Sequence, residues 1–438
     1  MEILLYVGGL LFMLVGLGVS IALHEIGHLV PAKLFGVHVG QYMIGFGPRL
    51  WSRRVGETEY GIKALPVGGF ISMSGMYPPS SSNGEPARGV FRTLIQDARA
   101  ANDDTIDPDR EERVFYRLSV WKRVVVMFGG PFMNLLLAVV IFTILLSGIG
   151  VQQGTTTIAT VSQCVLPAGT SQTACTTGDQ VAPAAAAGIM PGDVLVSVGG
   201  TDVDTFAEAS TIIQASPGKT LPVVVDRGGE RLTLDLTPVA AQRPASDERG
   251  RPLRDADGKP VLKDVGYAGV GAQLAYVPQP LTAGIEAAGA NVGSVALMII
   301  TLPARLWDVG VSLVTGGERD PNGPLSVVGV GRLAGEVAAT DAPVLNRFAT
   351  LLSLLGSLNI ALFVFNLIPL LPLDGGHIVV ALWDGVKRAW ARLFRRPPPK
   401  PVDATRLVPL TVVVAVVLIG MGALLLVADL FNPVKLLG

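Results

Sequence analysis

Charge is what this chain has least of: 16% of its 438 residues are charged, while half are hydrophobic. Soluble domains carry roughly 25% charged residues, so the deficit excludes an ordinary water-soluble protein. The net charge is -1 and there is no polybasic tail, which argues against nucleic acid as a partner. Cysteine is nearly missing. Cys164 and Cys175 have no CxxC spacing and no histidine beside them, so a thiolate metal site or redox dithiol is disfavoured. The first apolar run lacks both a basic leader and a small-residue cleavage site. It therefore reads as a retained span, not a signal peptide.

Long apolar runs take the place of charge. Residues 3–23, 124–149, 348–371 and 407–427 are each long enough to cross a hydrocarbon layer of roughly 30 Å. The connecting stretch 31–123 holds 13 Lys or Arg residues, and 383–406 holds seven. By the positive-inside rule both face the cytoplasm, leaving the termini and the central segment outside. A fifth apolar run, 281–302, is broken only by Glu286. A single crossing there would separate the two basic loops, so a helix lying at the outer surface or packed on the bundle is expected.

Between 151 and 240 the composition changes to short β-branched strands and Gly-rich turns, the pattern of a compact α/β module. The following stretch, 241–280, reads as an exposed linker. Outside the cell Cys164 and Cys175 are free to oxidise, and with ten residues between them they are expected to form a disulfide that staples a Gly-, Ser- and Thr-rich loop.

Two of the four histidines fall in His24-Glu25-Ile26-Gly27-His28, at the end of the first apolar run. On a helix, positions i and i+4 share a face. His24 and His28 can thus offer ring nitrogens to one zinc ion while Glu25 acts as a base toward water. Catalytic zinc usually takes three protein ligands and leaves a position for water. The best third candidate is Asp374, in Asn366-Leu-Ile-Pro369-Leu-Leu-Pro372-Leu373-Asp374-Gly375-Gly376-His377. Its prolines break the helix ladder, its glycines permit unusual backbone angles, and a carboxylate at a span end is costly unless paired or metal-bound. His377 would fill the water position and is expected beside the site, not in it. His38 is expected as a loop residue.

These motifs, with Gly130-Pro131-Phe-Met-Asn134 in the second span, resemble the ordered motifs of the site-2 protease family, intramembrane zinc metalloproteases. Residues 181–200, with Gly188 and Pro191-Gly192-Asp193, resemble the PDZ domains of bacterial proteases, which bind extended peptides by strand addition. Gly45-Phe46-Gly47-Pro48 and Pro66-Val67-Gly68-Gly69-Phe70 look like the family's membrane re-entrant β-hairpin. Gly323-Pro324-Leu325-Ser326-Val327-Val328-Gly329 resembles the segment that follows the PDZ module in bacterial members and is linked to substrate gating.

The resemblance implies one Zn2+ per chain held by His24, His28 and Asp374, with Glu25 as general base. Asn366, Asn134, Gly68 and Gly69 would position substrate. The implied fold is an α-helical integral membrane protein with about four transmembrane helices, a re-entrant β-hairpin and an inserted extracytoplasmic α/β PDZ-like domain. Its order would be a first span with the histidine motif (1–30), a cytoplasmic and hairpin region (31–123), a second span (124–150) and the PDZ-like domain (151–240). The linker (241–280), membrane-associated helices with the gating segment (281–345), a third span (346–383), a basic cytoplasmic loop (384–406) and a fourth span (407–430) would follow. The expected substrates are single-pass membrane proteins such as anti-sigma factors or remnant signal peptides, cut near the cytoplasmic face of the plasma membrane. A transporter, or a PDZ scaffold with a vestigial metal site, would share the composition, but neither needs a base beside a permanent metal ligand.

Overall fold

The first apolar run and the histidine motif that ends it form one 33-residue helix, α1 (Glu2–Leu34), with no charged side chain between Glu2 and His24. The computed structural model describes residues 1–78, 90–106, 112–166, 174–244, 253, 261–397 and 399–434. Much of the loop between Cys164 and Cys175, and most of the charged centre of 241–280, lie outside the described residues. The rest of 241–280, expected as an exposed linker, instead supplies strands at 262–267 and 270–277, the latter paired into the main sheet beside 151–161. The chain forms two units, Met1–Gly148 with Pro280–Gly438, and Ile149–Gln279.

In the first unit α1 is followed by β1 (Val39–Val55), β2 (Thr58–Met73), α2 (Val90–Asp103) and α3 (Val120–Thr143), whose last turn widens into a π-helix over Ile144–Ile149. β1 and β2 are antiparallel, and both bend back on themselves. Ile44 pairs with Ile62 on one side and with Gly69 on the other, and Tyr42 likewise pairs with Tyr60 and Ile71. Residues 69–73 therefore run along one edge of this small sheet, and among the described residues no strand pairs with their far side.

The second unit contains β3 (Val151–Val161), α4 (Pro183–Ala186), β4 (Val194–Val198), β5 (Thr201–Asp202), α5 (Phe206–Gln214), β6 (Leu221–Arg227), β7 (Glu230–Leu236), β8 (Val239–Pro244), β9 (Leu262–Tyr267) and β10 (Val270–Val277). The main sheet runs β10-β3-β4-β6-β7, with β5 on β4, and β8 pairs separately with β9. Apolar residues alternating along these strands, including Ile158, Leu195, Val223, Val225 and Leu236, close the core with Ala209 and Ile213 of α5. Thr205 and Glu208 form a reciprocal capping box that starts α5. Cys164 and Cys175 are joined by a disulfide at the edge of this unit.

The chain then returns to the first unit through α6 (Thr282–Thr315), α7 (Val327–Ala339), α8 (Val344–Asn366), α9 (Asp374–Leu393) and α10 (Val408–Phe431). Among the described residues, five helical stretches are long and apolar enough to cross a membrane: Glu2–Leu34, Val120–Ile149, Thr282–Thr315, Val344–Asn366 and Ala404–Phe431. The third of these is the run at 281–302 that the sequence sets at the surface or on the bundle; its helix is longer than that run. α6 continues for 34 residues through Arg305 and Asp308, packing along α3, α8 and α10. The third expected span also differs: α8 stops at Asn366, and α9 begins separately at Asp374.

Small residues allow these helices to touch, as membrane bundles require in the absence of a hydrophobic drive between helices. Pro31 has no N–H for the carbonyl four residues earlier, which frees Gly27 O. That oxygen faces Gly129 of α3, where an added Cβ would sit 1.9 Å from it. Beside α1 on its other flank, Leu355 packs at Gly16 and Asn359 donates to Ser20 Oγ at 2.9 Å. Four residues forward on α1 match four forward on α8. The two helices therefore run in the same direction, and their ends arrive at the same end of the bundle.

Candidate metal centre

This parallel register brings the ends of α1 and α8 together. His24 and His28 stack one turn apart on α1, and Asp374 opens α9 after the proline-broken turn that follows α8. His24 Nε2 and His28 Nε2 are 3.2 Å apart, and Asp374 Oδ2 lies 3.3 Å from each. Among the described residues this is the group of histidine, cysteine and carboxylate side chains placed to hold a metal ion.

The donor set fits zinc on two counts. Ligands about 2.05 Å from a tetrahedral zinc stand about 3.3 Å from one another, which matches all three edges. Asp374 Oδ2 is buried and accepts no hydrogen bond, a costly state for a carboxylate oxygen unless a cation faces it.

Neighbouring groups fix the rings. His28 Nδ1–H donates to the Val126 carbonyl at 2.8 Å, so its Nε2 keeps the lone pair a metal needs. The Asn134 amide lies 3.3 Å from His24 Nδ1, and its Oδ1 is buried without a partner. With the amide turned so that Oδ1 accepts from Nδ1–H, the Asn134 oxygen is satisfied and His24 Nε2 is freed in the same way. The sequence places Asn134 with substrate; its contact here is with a candidate ligand. The Val126 carbonyl could not be read from sequence, because a backbone acceptor carries no residue signature.

Glu25 is buried on α1. Its side chain lies against the hairpin edge, where a Cβ on Gly69 would come within 2.9 Å of Glu25 Cγ. Gly69 thus lets the edge strand run beside the base. Gly68 adopts φ +96°, a left-handed conformation suited to glycine, with the Phe46 ring against it. Tyr42 of the same sheet donates to Ala22 O at 2.9 Å and ties it to α1.

The remaining candidates stand apart from the triad. Asn366 donates to Leu362 O of its own helix at 3.0 Å, and among the described residues no hydrogen bond joins it to the three donors. His377 stacks on Tyr77, ring centroids 6.1 Å apart. His38 bonds through Nδ1 to Ser74 Oγ at 2.8 Å, outside the donor group.

Spans long enough for a bilayer, with a three-donor zinc-type site and an adjacent carboxylate at their ends, define a multi-pass membrane metallohydrolase. Comparison with known proteins narrows this class. The sequence model of peptidase family M50 matches residues 12–395, and the chain belongs to that family, the site-2 proteases. It is 34% identical over 443 residues to zinc metalloprotease Rip1 of Mycobacterium tuberculosis, covering 99% of this chain and 100% of the relative. Zinc metalloprotease Rip1 of Mycolicibacterium smegmatis is 34% identical over 447 residues, covering 98% of each chain. A putative zinc metalloprotease, mll0638, of Mesorhizobium japonicum is 28% identical over 402 residues, covering 90% of this chain and 91% of its own. The protein is a zinc metalloprotease.

Proposed function

We propose that the protein is an intramembrane endopeptidase that cuts the membrane-spanning segments of single-pass proteins, anti-sigma factors or remnant signal peptides, near the cytoplasmic face of the plasma membrane. The observation that carries this reading is the donor triangle of His24, His28 and Asp374, built at the ends of two apolar helices with Glu25 beside it. These three side chains hold the zinc. When bound, zinc supplies Lewis acidity toward water and a peptide carbonyl.

Glu25 takes the proton of the attacking water and passes it to the leaving amine. A helical substrate hides its carbonyls in i to i+4 hydrogen bonds and must unwind first. The edge at Gly69, with Gly68 before it, offers unpaired backbone groups to the strand that results. Asn366 and Asn134 act at the substrate and ligand side of the same region. The PDZ-like module at 151–240 faces outside and selects substrates whose outer portion has been trimmed, and the segment at Gly323-Pro324 gates entry.

The test is Glu25→Gln in purified, full-length protein, with zinc content and cleavage of a model transmembrane substrate measured on the same sample. Zinc should remain while cleavage falls at least ~100-fold. Undiminished cleavage would remove Glu25 from the chemistry.

A further inference from the structure

Helix α9 begins at Asp374 and has an apolar stripe that the described residues leave largely exposed. Val379, Leu382, Trp383, Val386, Trp390 and Leu393 recur at three- and four-residue spacing and so share one side of the helix. They are 46% to 75% exposed. The helix is not among those apolar enough to cross a membrane. A helix with Trp and Leu along one side and Arg and Lys along another is built to lie in a bilayer interface.

Next to that stripe is a groove of about 690 Å³, walled by Val120, Trp121 and Val125 at the start of α3 and by Leu382, Arg388 and Arg392 on α9. Its walls are hydrocarbon, with two guanidiniums on one side. The charge around it has one sign. Between Asp384 and Asp403 the sequence carries Lys387, Arg388, Arg392, Arg395, Arg396 and Lys400 and no acidic residue. Asp384 itself is already engaged. It accepts from Arg123 Nη1 at 2.9 Å and from Val402 N–H at 2.8 Å, and Lys387 Nζ lies 3.2 Å away. The Arg123–Asp384 pair is buried and fixes α9 on α3, so both walls of the groove are held.

We propose that this surface docks anionic phospholipid, with an acyl chain in the groove, the phosphate headgroup on Arg388 and Arg392, and the tryptophan stripe in the interface. Docking seats the helix that supplies Asp374 to the metal centre. The inference rests on the membrane placement proposed above, but not on proteolysis.

Full-length protein in nanodiscs of mixed phosphatidylcholine and phosphatidylglycerol, released into native mass spectrometry, reports which lipid stays bound. The wild type should retain phosphatidylglycerol in preference, and Arg388→Gln with Arg392→Gln should lower that preference by about fivefold per charge removed. High salt should weaken it in the wild type. Arg53→Gln with Arg54→Gln, exposed basic residues on β1, should leave it unchanged. Equal retention of the two lipids by wild type would overturn the proposal, as would a preference that survives the α9 substitutions or is lost with those on β1. None of these readouts requires catalysis, so a negative outcome leaves the protease assignment standing.

Discussion

Gly130 lies flat against the ring of His28: a Cβ at position 130 would be 2.2 Å from His28 Nε2 and 2.6 Å from its Cε1. No side chain fits there without displacing the atom that faces Asp374. Gly130→Ala should therefore lower zinc content well below one per chain while leaving the helical circular dichroism intact, with cleavage down by about tenfold or more. Metal analysis of the purified variant decides this, and a full zinc complement would show that α3 can move away from the ring.

Asn134 offers a cleaner separation of two roles. If it orients the His24 ring, Asn134→Ala should weaken zinc binding by about 10- to 100-fold, read as faster loss of zinc to a chelator. A residue that only holds substrate would raise KM and leave metal retention untouched. Asn366, bonded to its own helix, is the comparison: its alanine variant should keep zinc like the wild type.

Much of this site was legible in the sequence because its parts obey local rules. His24 and His28 declare themselves by helical spacing, and Asp374 by prolines and glycines around a carboxylate at a span end. The break at Pro369 and Pro372 was readable too, but its position was not. The apolar run through Leu371 hides the fact that α8 ends at Asn366 and that Asp374 starts a new helix. The Val126 carbonyl, the Gly130 cradle and the free edge at residues 69–73 depend on which elements meet, which no single stretch encodes. The apolar run of α6 was visible as well, but its length was not: the helix continues past Arg305 and Asp308 to Thr315, and the balance of the basic loops had set it on the surface or the bundle.

The Cys164–Cys175 disulfide closes a short loop at the edge of the second unit, where Cys164 also bridges to Val181. Its strands and core are built from other residues, so Cys164→Ser with Cys175→Ser should leave the sheet formed. Loop-closure entropy sets the expected loss of stability at about 2–3 kcal/mol. Mass spectrometry of unreduced, exported protein should find the two cysteine peptides linked, whereas free thiols would contradict both the bond and the outside placement of this unit.

Asp193, in the Pro191-Gly192-Asp193 turn, ties that turn to Arg227 of β6. Arg227 Nε and Nη2 donate to its two carboxylate oxygens at 2.7 and 2.8 Å, and Met190 N–H donates at 2.9 Å. The Arg227 hydrogen bonds foremost hold the buried Asp193 carboxyl below its usual range, against the opposing effect of burial. A group whose folded pKa is depressed adds stability above its unfolded value, near 3.9, and loses it as pH falls through the folded value. At pH 7, therefore, Asp193→Asn should lower the Tm of the β-sheet signal in full-length protein by about 5 °C. The gap from wild type should hold down to about pH 4 and then close as acid protonates the wild-type carboxyl. Infrared melting curves of both proteins across that range provide the measurement. A gap that persists at pH 2 would mean that packing of the turn, not the ionised Asp193–Arg227 pair, carries the difference.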